Sequence, residues 1–311
     1  MVAPAIEPSS NSAPSVRVPM LRRGTAILVR GPHQVQLGCD PERSILVDLP
    51  PTVDARAVTS LLQSLGQPSG ARHIAARLSE IGLSTTDFDE IVRHLREIGA
   101  VFTGTSPSLR VCLHGTGPLR SGLGEALSDA GYPLARSSVR RARPWHATTR
   151  RPTLVVLTDY THHDPLVLGD LMRNRIPHLP VLLRDGVGVV GPLVLPGRTS
   201  CLRCADHHRA ALDPEWPLLS AQLVNRSGYA SEAITRLTVG AALEQIDQIT
   251  SGLARRTHGA ESADGSVATV APPDLLSATV EIHAGPLRLR RKSWPAHPRC
   301  FCGAVWRDTR R

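Results

Sequence analysis

The sequence predicts an α/β protein of two domains, a winged-helix-like domain followed by a Rossmann-like domain whose C-terminus is stapled by zinc. Three observations support this prediction. Short strands and helices succeed one another over the first hundred residues, and buried strands then alternate with helices. Two cysteine pairs stand 95 residues apart in the C-terminal third. A chain of 311 residues is long enough for two domains.

Residues 1–20 are rich in Pro, Ser and Ala and contain no hydrophobic block. This composition predicts a disordered leader and not a signal peptide. No apolar run in the chain approaches the length of a membrane span. We therefore expect a cytoplasmic protein without a membrane partner.

Residues 21–104 carry the pattern of a winged-helix-like domain. Three short strands are expected between residues 26 and 49, because apolar and polar residues alternate there and turn residues separate the runs. Three amphipathic helices follow, with Asp54 and Thr86 as the expected N-caps of the first and the third. Three short strands and three short helices within about 80 residues predict a winged-helix-like domain.

Residues 108–311 show the alternation that is typical of a Rossmann-like domain. A buried strand at 109–114 leads into the turn formed by Gly115, Thr116 and Gly117, and the apolar run at 153–158 predicts a central parallel strand. A polar segment at 257–273 predicts a flexible loop. The other expected elements are strands near 133–139, 178–183 and 187–194, helices near 121–130, 165–175 and 230–249, and a hairpin at 278–289.

Two cysteine pairs predict a structural zinc site. Cys201 and Cys204 form the first pair, and Cys300 and Cys302 form the second. Each pair supplies two thiolates from one turn, and four thiolates satisfy tetrahedral zinc. Disulfides are the weaker alternative. Cys300 and Cys302 are too close in sequence to form an unstrained disulfide with each other, and no signal peptide points to an oxidising compartment. The second pair departs from the commoner spacing, since one residue separates its cysteines instead of two.

The net charge of +9 raises nucleic acid as a partner. However, only 3% of the residues are aromatic, which leaves little for bases to stack on. The basic clusters at 140–143 and 288–292 favour solvated faces over binding sites. The sequence therefore argues against a nucleic-acid partner.

Several segments of the second domain resemble the ThiF/MoeB-like superfamily, the relatives of ubiquitin-activating enzymes. They are the turn with Gly115 and Gly117, the strand at 154–159, and the segments 191–204 and 294–303, which contain the cysteine pairs. The N-terminal domain looks like the PqqD-like peptide-recognition domain, a winged helix. Together, over residues 21–311, they are similar to the precursor leader peptide-binding proteins of thiazole/oxazole-modified microcin (TOMM) biosynthesis, the cyclodehydratase ThiF-like components.

This resemblance implies a ThiF-type α/β domain and a role in azoline formation. The winged helix would bind the leader peptide of a ribosomally made precursor, and the chain would present the precursor to a YcaO-type cyclodehydratase. An extended peptide would add a strand at Ile45 to Val47 and pack against the helix of residues 88–98. Arg93 and Arg96 could bind acidic leader residues, although a solvated helix face explains these arginines equally well.

Adenylation, the activity of many ThiF/MoeB-like relatives, needs a glycine cradle for phosphates and a carboxylate for magnesium. Gly115 and Gly117 could form the turn, but Pro118 lacks an N–H and Arg120 adds bulk where the backbone must approach phosphate. His162 falls where the relatives place the metal-binding aspartate, although Asp164, two residues later, could substitute for it. The sequence therefore predicts a degenerate nucleotide site without ATP, and it assigns no catalytic residue.

Two other classes of function stay open. The first is an ATP-dependent adenylyltransferase that acts on the C-terminus of a carrier protein, which retained ATP binding would reveal. The second is a winged-helix DNA-binding regulator, which the acidic residues around Arg93 and Arg96 disfavour because they would repel phosphate. The resemblance also implies a homodimer.

Overall fold

The computed structural model describes residues 19–22, 24–67, 69–103, 109–135, 154–257 and 275–304. The chain divides into two compact units, residues 1–105 and 106–311. Most of the predicted leader, the basic cluster at 140–143 and nearly all of the predicted flexible loop at 257–273 lie outside the described residues.

The N-terminal unit combines three helices with two small antiparallel sheets. Its elements are β1 (Pro19–Leu21), β2 (Ile27–Gly31), β3 (Gln34–Leu37), β4 (Ile45–Asp48), α1 (Ala55–Ser64), α2 (Ala71–Ile81), α3 (Thr85–Glu97) and β5 (Val101–Thr103). Strands β2, β3 and β4 form one sheet in that order, and β1 pairs with β5 in the other. All three helices turn their apolar faces into one core, where Leu61, Leu62 and Leu95 have no exposed surface.

Two details of this unit differ from the sequence-based expectation. Helix α3 begins after Ser84, whose hydroxyl accepts a hydrogen bond from the Asp87 N–H at 3.1 Å, so Ser84 is the N-cap and not Thr86. Asp54 caps α1, as predicted. Strand β1 starts at Pro19, before the expected domain start at residue 21, because the unpredicted strand β5 provides a pairing partner.

The C-terminal unit contains a seven-stranded mixed sheet with helices. Its elements are β6 (Val111–His114), α4 (Pro118–Asp129), β7 (Leu134–Ala135), β8 (Leu154–Asp159), α5 (Pro165–Arg173), β9 (His178–Arg184), β10 (Val187–Val190), α6 (Leu202–Leu212), α7 (Trp216–Gln222), α8 (Glu232–Thr257), β11 (Ala278–His283) and β12 (Arg288–Ser293). The strand order is β12-β11-β10-β9-β8-β6-β7. The strands from β7 to β9 are parallel, and those from β9 to β12 are antiparallel. The predicted α/β class is confirmed.

Strand β8 lies at the centre of the parallel half, and all six of its residues are buried. Leu154 and Val156 belong to the core that α4 and α8 share, whereas Val155 and Leu157 belong to the core around α5. Each fully buried leucine of this kind stabilises the fold by about 2 kcal/mol. Burial from both sides holds the last residue of the strand, Asp159, next to the turn that follows β6.

The sequence pattern missed α6 and α7. Helix α7 buries none of its residues, and α6 buries only Cys204 and Ala205. Neither helix therefore shows the apolar periodicity by which helices are recognised in a sequence. Within the described ranges, none of the helices has both the length and the apolar character that a membrane span needs.

Candidate metal centre and glycine turn

The four cysteines singled out from the sequence meet at one place. The Sγ atom of Cys201 lies 3.9 Å from that of Cys204 and 3.6 Å from that of Cys300, and the Sγ atoms of Cys204 and Cys302 are 3.6 Å apart. All four sulfur atoms lie within 4.8 Å of one another. These separations exclude disulfide bonds, which are about 2 Å long. They fit a tetrahedral zinc ion, whose Zn–S bonds of about 2.3 Å place the sulfurs just under 4 Å apart.

Two turns position the cysteines. Cys201 immediately precedes α6, and the N–H of Cys204 donates to the carbonyl oxygen of Cys201 at 3.0 Å. In the second pair, the N–H of Cys300 donates to the carbonyl oxygen of His297 at 2.9 Å. Gly303 follows with a φ of 82°, a left-handed conformation that glycine adopts without strain. Backbone hydrogen bonds thus fix both pairs.

The thiols perturb one another's ionisation. The hydrogen bond with Cys204, together with burial, raises the pKa of Cys201. The same hydrogen bond lowers the pKa of Cys204 to about 4. Burial raises the pKa of Cys300 to about 11. A divalent cation that binds here at neutral pH would therefore displace protons from thiols, as zinc does in four-cysteine sites.

Histidines surround the cluster without belonging to the four-sulfur set. The ring of His207 stacks on that of His297 with centroids 4.8 Å apart. His208 Nε2 lies 2.9 Å from the carbonyl oxygen of Pro295. These contacts join α6, which carries the first cysteine pair, to the segment that carries the second. Outer contacts of this kind orient metal-binding segments.

The glycine turn packs tightly against the end of β8. A Cβ atom on Gly115 would lie 2.2 Å from the carbonyl oxygen of Thr158, and one on Gly117 would lie 2.6 Å from Asp159 Oδ1. Real Cβ atoms do not approach other atoms so closely. The close packing of the turn against β8 is therefore enough to explain why both positions are glycine.

The carboxylate of Asp159 occupies the N-terminal end of α4. Its Oδ1 accepts a hydrogen bond from the N–H of Leu119 at 2.9 Å, and its Oδ2 accepts one from the N–H of Arg120 at 3.2 Å. Pro118, at the first position of the helix, has no N–H to offer. Free N–H groups at a helix N-terminus are the usual binding site for phosphate. Here the Asp159 carboxylate accepts the hydrogen bonds that these N–H groups donate.

His162 is tied to the helix of the first cysteine pair. Its Nε2 lies 3.4 Å from Asp206 Oδ1, and the same oxygen accepts hydrogen bonds from Arg209 at 2.9 Å and from Trp216 Nε1 at 3.1 Å. Burial opposes ionisation of Asp206, but His162 and Arg209 lower its pKa below the ordinary value. Asp206 lies two residues beyond Cys204 on α6. One carboxylate thus joins α6, α7 and the loop after β8.

Among the described residues of the C-terminal unit, two histidines are buried, His163 and His178. The ring of His163 contacts those of His114 and Tyr160, with centroids 5.8 and 5.4 Å away. Burial lowers the pKa of His163 to about 3 and that of His178 to about 4. Both side chains are therefore neutral at pH 7. No local pattern in the sequence distinguishes a buried histidine at position 163 from an exposed one.

The first half of the predicted peptide site lies on β4. Within the described residues β4 pairs only with β3, so its other edge is open. Ile45 and Val47 are half-buried and pack against the core, whereas Leu46 between them is 46% exposed. An open edge beside half-buried apolar residues is the kind of surface that an added strand requires.

The second half of the predicted peptide site lies on α3. Arg93 is bonded within the helix to Glu97 at 2.7 Å and to Glu90 at 3.3 Å. Among the described residues no ion pair includes Arg96, which is exposed. The apolar side chains of this helix face the unit's own core; they are Phe88, Ile91, Val92 and Leu95. A bound peptide would therefore contact the exposed face of α3.

Neither the known protein families nor the curated proteins include a match to this chain. Solved structures do match. A heterocyclase in complex with substrate and cofactor matches with a TM-score of 0.61 and 15% identity over 93% of this chain. The heterocyclase TruD matches with a TM-score of 0.55 and 16% identity over 93%, and E. coli MccB in complex with ATP with 0.53 and 12% over 91%.

The chain has the heterocyclase/MccB fold. The resemblance to a ThiF-like TOMM protein is confirmed at the level of the fold. The chain spans 40% of the length of the substrate-bound heterocyclase and 43% of TruD, but 99% of MccB. MccB has also been solved in complex with N-formylated MccA, with a TM-score of 0.52, 11% identity and 92% of this chain covered.

Proposed function

We propose that this protein binds the leader peptide of a ribosomally made precursor and presents the precursor to a separate YcaO-type cyclodehydratase, which forms the azolines. The observation that carries the proposal is the fold likeness to a heterocyclase solved with substrate and cofactor, which covers 93% of this chain. This chain spans only 40% of that heterocyclase.

The N-terminal unit is the proposed winged-helix, leader-binding domain. An extended leader would add to the open edge of β4 at Ile45 to Val47, so that backbone hydrogen bonds supply affinity. Arg96 on α3 would contribute selectivity for acidic leader residues through charge-assisted hydrogen bonds. Arg93 would contribute less, because Glu90 and Glu97 already neutralise its charge.

The C-terminal unit is proposed to be non-catalytic. The Asp159 carboxylate accepts the helix N–H groups that would otherwise bind a phosphate, and a nucleotide would have to displace it. Phosphate would also be repelled by that buried negative charge. The tie between His162 and Asp206 further supports a structural role for the loop after β8.

The four cysteines are proposed to hold one structural zinc ion. The sulfur cluster joins the start of α6 to the segment that follows β12, and so closes a chain segment of 95 residues. A bound zinc ion would supply folding free energy, because no such site exists in the unfolded chain. Its role here would be to fix the chain and not to activate a substrate.

A peptide selection on the full chain tests the proposed function. Leader segments of ribosomally made precursors would be displayed, selected for binding, and then studied by hydrogen exchange of the protein with and without the selected peptide. We expect slower exchange of the amides at 45–48 in the complex, because an added strand protects the edge of β4. Binding that protects only the C-terminal unit would contradict the proposal.

A second candidate function is ATP-dependent adenylation of a carrier-protein C-terminus. It is supported by the shared fold with MccB, which has been solved with ATP and which this chain covers almost completely. Calorimetry with ATP and magnesium, paired with elemental analysis of the same sample, separates the two functions. About one zinc per chain without ATP binding supports leader presentation, whereas magnesium-dependent ATP binding favours adenylation.

A further inference from the structure

Strand β12 forms an open and strongly basic edge of the seven-stranded sheet. Within the described residues it pairs only with β11. Four of its six residues are cations, and all six are exposed or half-exposed. The sequence alone favoured a solvated face for this cluster. The structure adds that the cations follow one another along a strand whose outer edge is open.

The two faces of β12 carry different sets of side chains. Arg288, Arg290 and Lys292 share one face of the sheet, because alternate residues of a strand point the same way. Leu289 lies on the other face and is 70% exposed, and Leu287 in the preceding turn is 64% exposed. The edge therefore presents three cations on one face, and on the other face an exposed leucine with Arg291 beside it.

The cations on this edge exceed the nearby carboxylates. Glu281 of β11 lies opposite Arg290, but it is buried and already pairs with Arg184 at 3.5 Å. Among the described residues no ion pair includes Arg288 or Arg290. Lys292 lies over the ring of Trp294, with 4.4 Å between Nζ and the ring centroid. The guanidinium groups of Arg288 and Arg290 are therefore open to an anionic partner.

We propose that β12 binds an extended acidic segment of a partner protein, which adds to the sheet as an eighth strand. Acidic residues at alternate positions would face Arg288 and Arg290, and apolar residues between them would contact Leu289. A second copy of this chain does not fit, because β12 paired with β12 would bring cations together. This surface lies entirely in the C-terminal unit, and the inference does not depend on leader-peptide binding.

Nucleic acid is the less suitable occupant. Single strands bind where exposed aromatic rings supply stacking surfaces between cations. The tryptophan next to this edge, Trp294, is only 2% exposed and donates its indole N–H to Thr279 at 3.1 Å. The open edge of a strand instead offers backbone groups, which match the backbone of an extended peptide.

Fluorescence anisotropy on the full chain tests the inference. The probes are three labelled peptides of about ten residues. The first alternates Glu and Val, and the second alternates Lys and Val. The third is the Glu–Val peptide with the backbone N–H groups along one edge methylated, so that this edge cannot donate hydrogen bonds. The variant Arg288→Glu/Arg290→Glu is compared with Arg175→Glu/Arg226→Glu, which changes the charge equally at exposed positions outside β12. A second variant, Arg288→Gln/Arg290→Gln, removes the two charges without reversing them, and a melting curve checks that it is folded.

We expect the Glu–Val peptide to bind at least about tenfold more tightly than the other two peptides, a difference of about 1.4 kcal/mol. The variant in β12 should weaken that binding about tenfold, and the control variant less than about twofold. Equal weakening by both variants would show only an effect of net charge and overturn the inference. So would unchanged binding of the N-methylated peptide, or competition by a single-stranded oligonucleotide at equal concentration.

Discussion

The carboxylate of Asp159, at the end of β8, accepts a hydrogen bond from the backbone N–H of Leu119 at 2.9 Å, in the first turn of α4. The two residues are 40 positions apart in the sequence, and the hydrogen bond joins the end of β8 to the start of α4. It gives α4 a capping carboxylate from a neighbouring strand in place of one from its own N-cap, which is Gly117 and has no side chain.

Replacing Asp159 should destabilise the C-terminal unit. Asp159→Asn keeps one acceptor but removes the charge, so we expect the free energy of unfolding to fall by about 1–2 kcal/mol. All four tryptophans belong to this unit, so urea titration followed by tryptophan fluorescence reports on it. The control is Asp129→Asn, an exposed change at the C-terminal end of α4, which should have little effect. Equal stability of Asp159→Asn and the native chain would contradict the cap.

Alanine substitutions in the glycine turn should rank by what the new Cβ atom meets. Gly115→Ala meets a backbone oxygen of β8, which cannot move without the strand, and should destabilise by about 3 kcal/mol or more. Gly117→Ala meets the Asp159 carboxylate and should cost about 1–3 kcal/mol. Gly240→Ala is the control: its Cβ meets nothing within 4 Å on α8, and it should stabilise by up to about 1 kcal/mol. A reversed order would refute this account of the turn.

Removing one cysteine of the cluster should remove the metal. We expect Cys300→Ser to bind far less zinc than the native chain, because a serine hydroxyl is a poor ligand, and to unfold at lower temperature. Elemental analysis and a thermal melt measure both effects. Cys39→Ser is the control, because Cys39 is exposed and outside the cluster. If Cys39→Ser lost as much zinc as Cys300→Ser, the assigned ligand set would be wrong.

The C-terminal unit should lose stability in acid through its buried histidines. The pKa of His163 is about 3 in the folded protein and about 6.5 in an unfolded chain. Above pH 6.5 both states are neutral there. Below it the unfolded state binds a proton that the folded state does not, so the free energy of unfolding falls as the pH falls towards 3, by up to about 1.4 kcal/mol per pH unit. His178 acts in the same direction.

His163→Phe should therefore flatten this acid dependence, and His163→Phe/His178→Phe should flatten it further. Urea titrations between about pH 4 and pH 7, followed by tryptophan fluorescence, measure the slope. The comparison uses the slope and not the stability at one pH, because each substitution also changes packing. An unchanged slope in the double variant would mean that other groups dominate the acid response.

Arg96 should matter for leader binding more than other exposed arginines of the N-terminal unit. We expect Arg96→Glu to weaken the binding of a selected acidic leader by about five- to tenfold, as loss of one charge-assisted contact does. Arg72→Glu on α2 changes the charge equally and should have less than about a twofold effect. Equal effects of the two variants, measured by anisotropy, would remove α3 from the proposed site.

The sequence predicted best those features that a periodic or paired pattern specifies. The apolar run of β8 correctly predicted a buried central strand, because burial demands apolar residues. The two cysteine pairs predicted a cluster of four thiols, and the four sulfur atoms do lie together. Helices α6 and α7 were missed because they bury almost nothing. The cap of α3 was placed two residues late, since Ser84, Thr85 and Thr86 are all suitable N-cap residues.

The site was predictable only in part, because its key contacts join distant segments. The sequence indicated a degenerate phosphate turn from Pro118 and Arg120. It did not reveal that Asp159 reaches the helix end, since only the parallel pairing of β6 with β8 brings them together. The contact of His162 with Asp206 likewise depends on where α6 lies, which no local pattern specifies.

Cys204 and Asp206 lie two residues apart on α6, so we expect zinc binding at the cysteine cluster to be thermodynamically coupled to the loop after β8. A ligand that drew His162 away from Asp206 would disturb α6 and change the affinity of the cysteines for zinc. By reciprocity, zinc would change the affinity for that ligand by the same factor. Zinc occupancy would therefore serve as a remote readout of ligand binding at the loop after β8, with no probe attached to the loop itself.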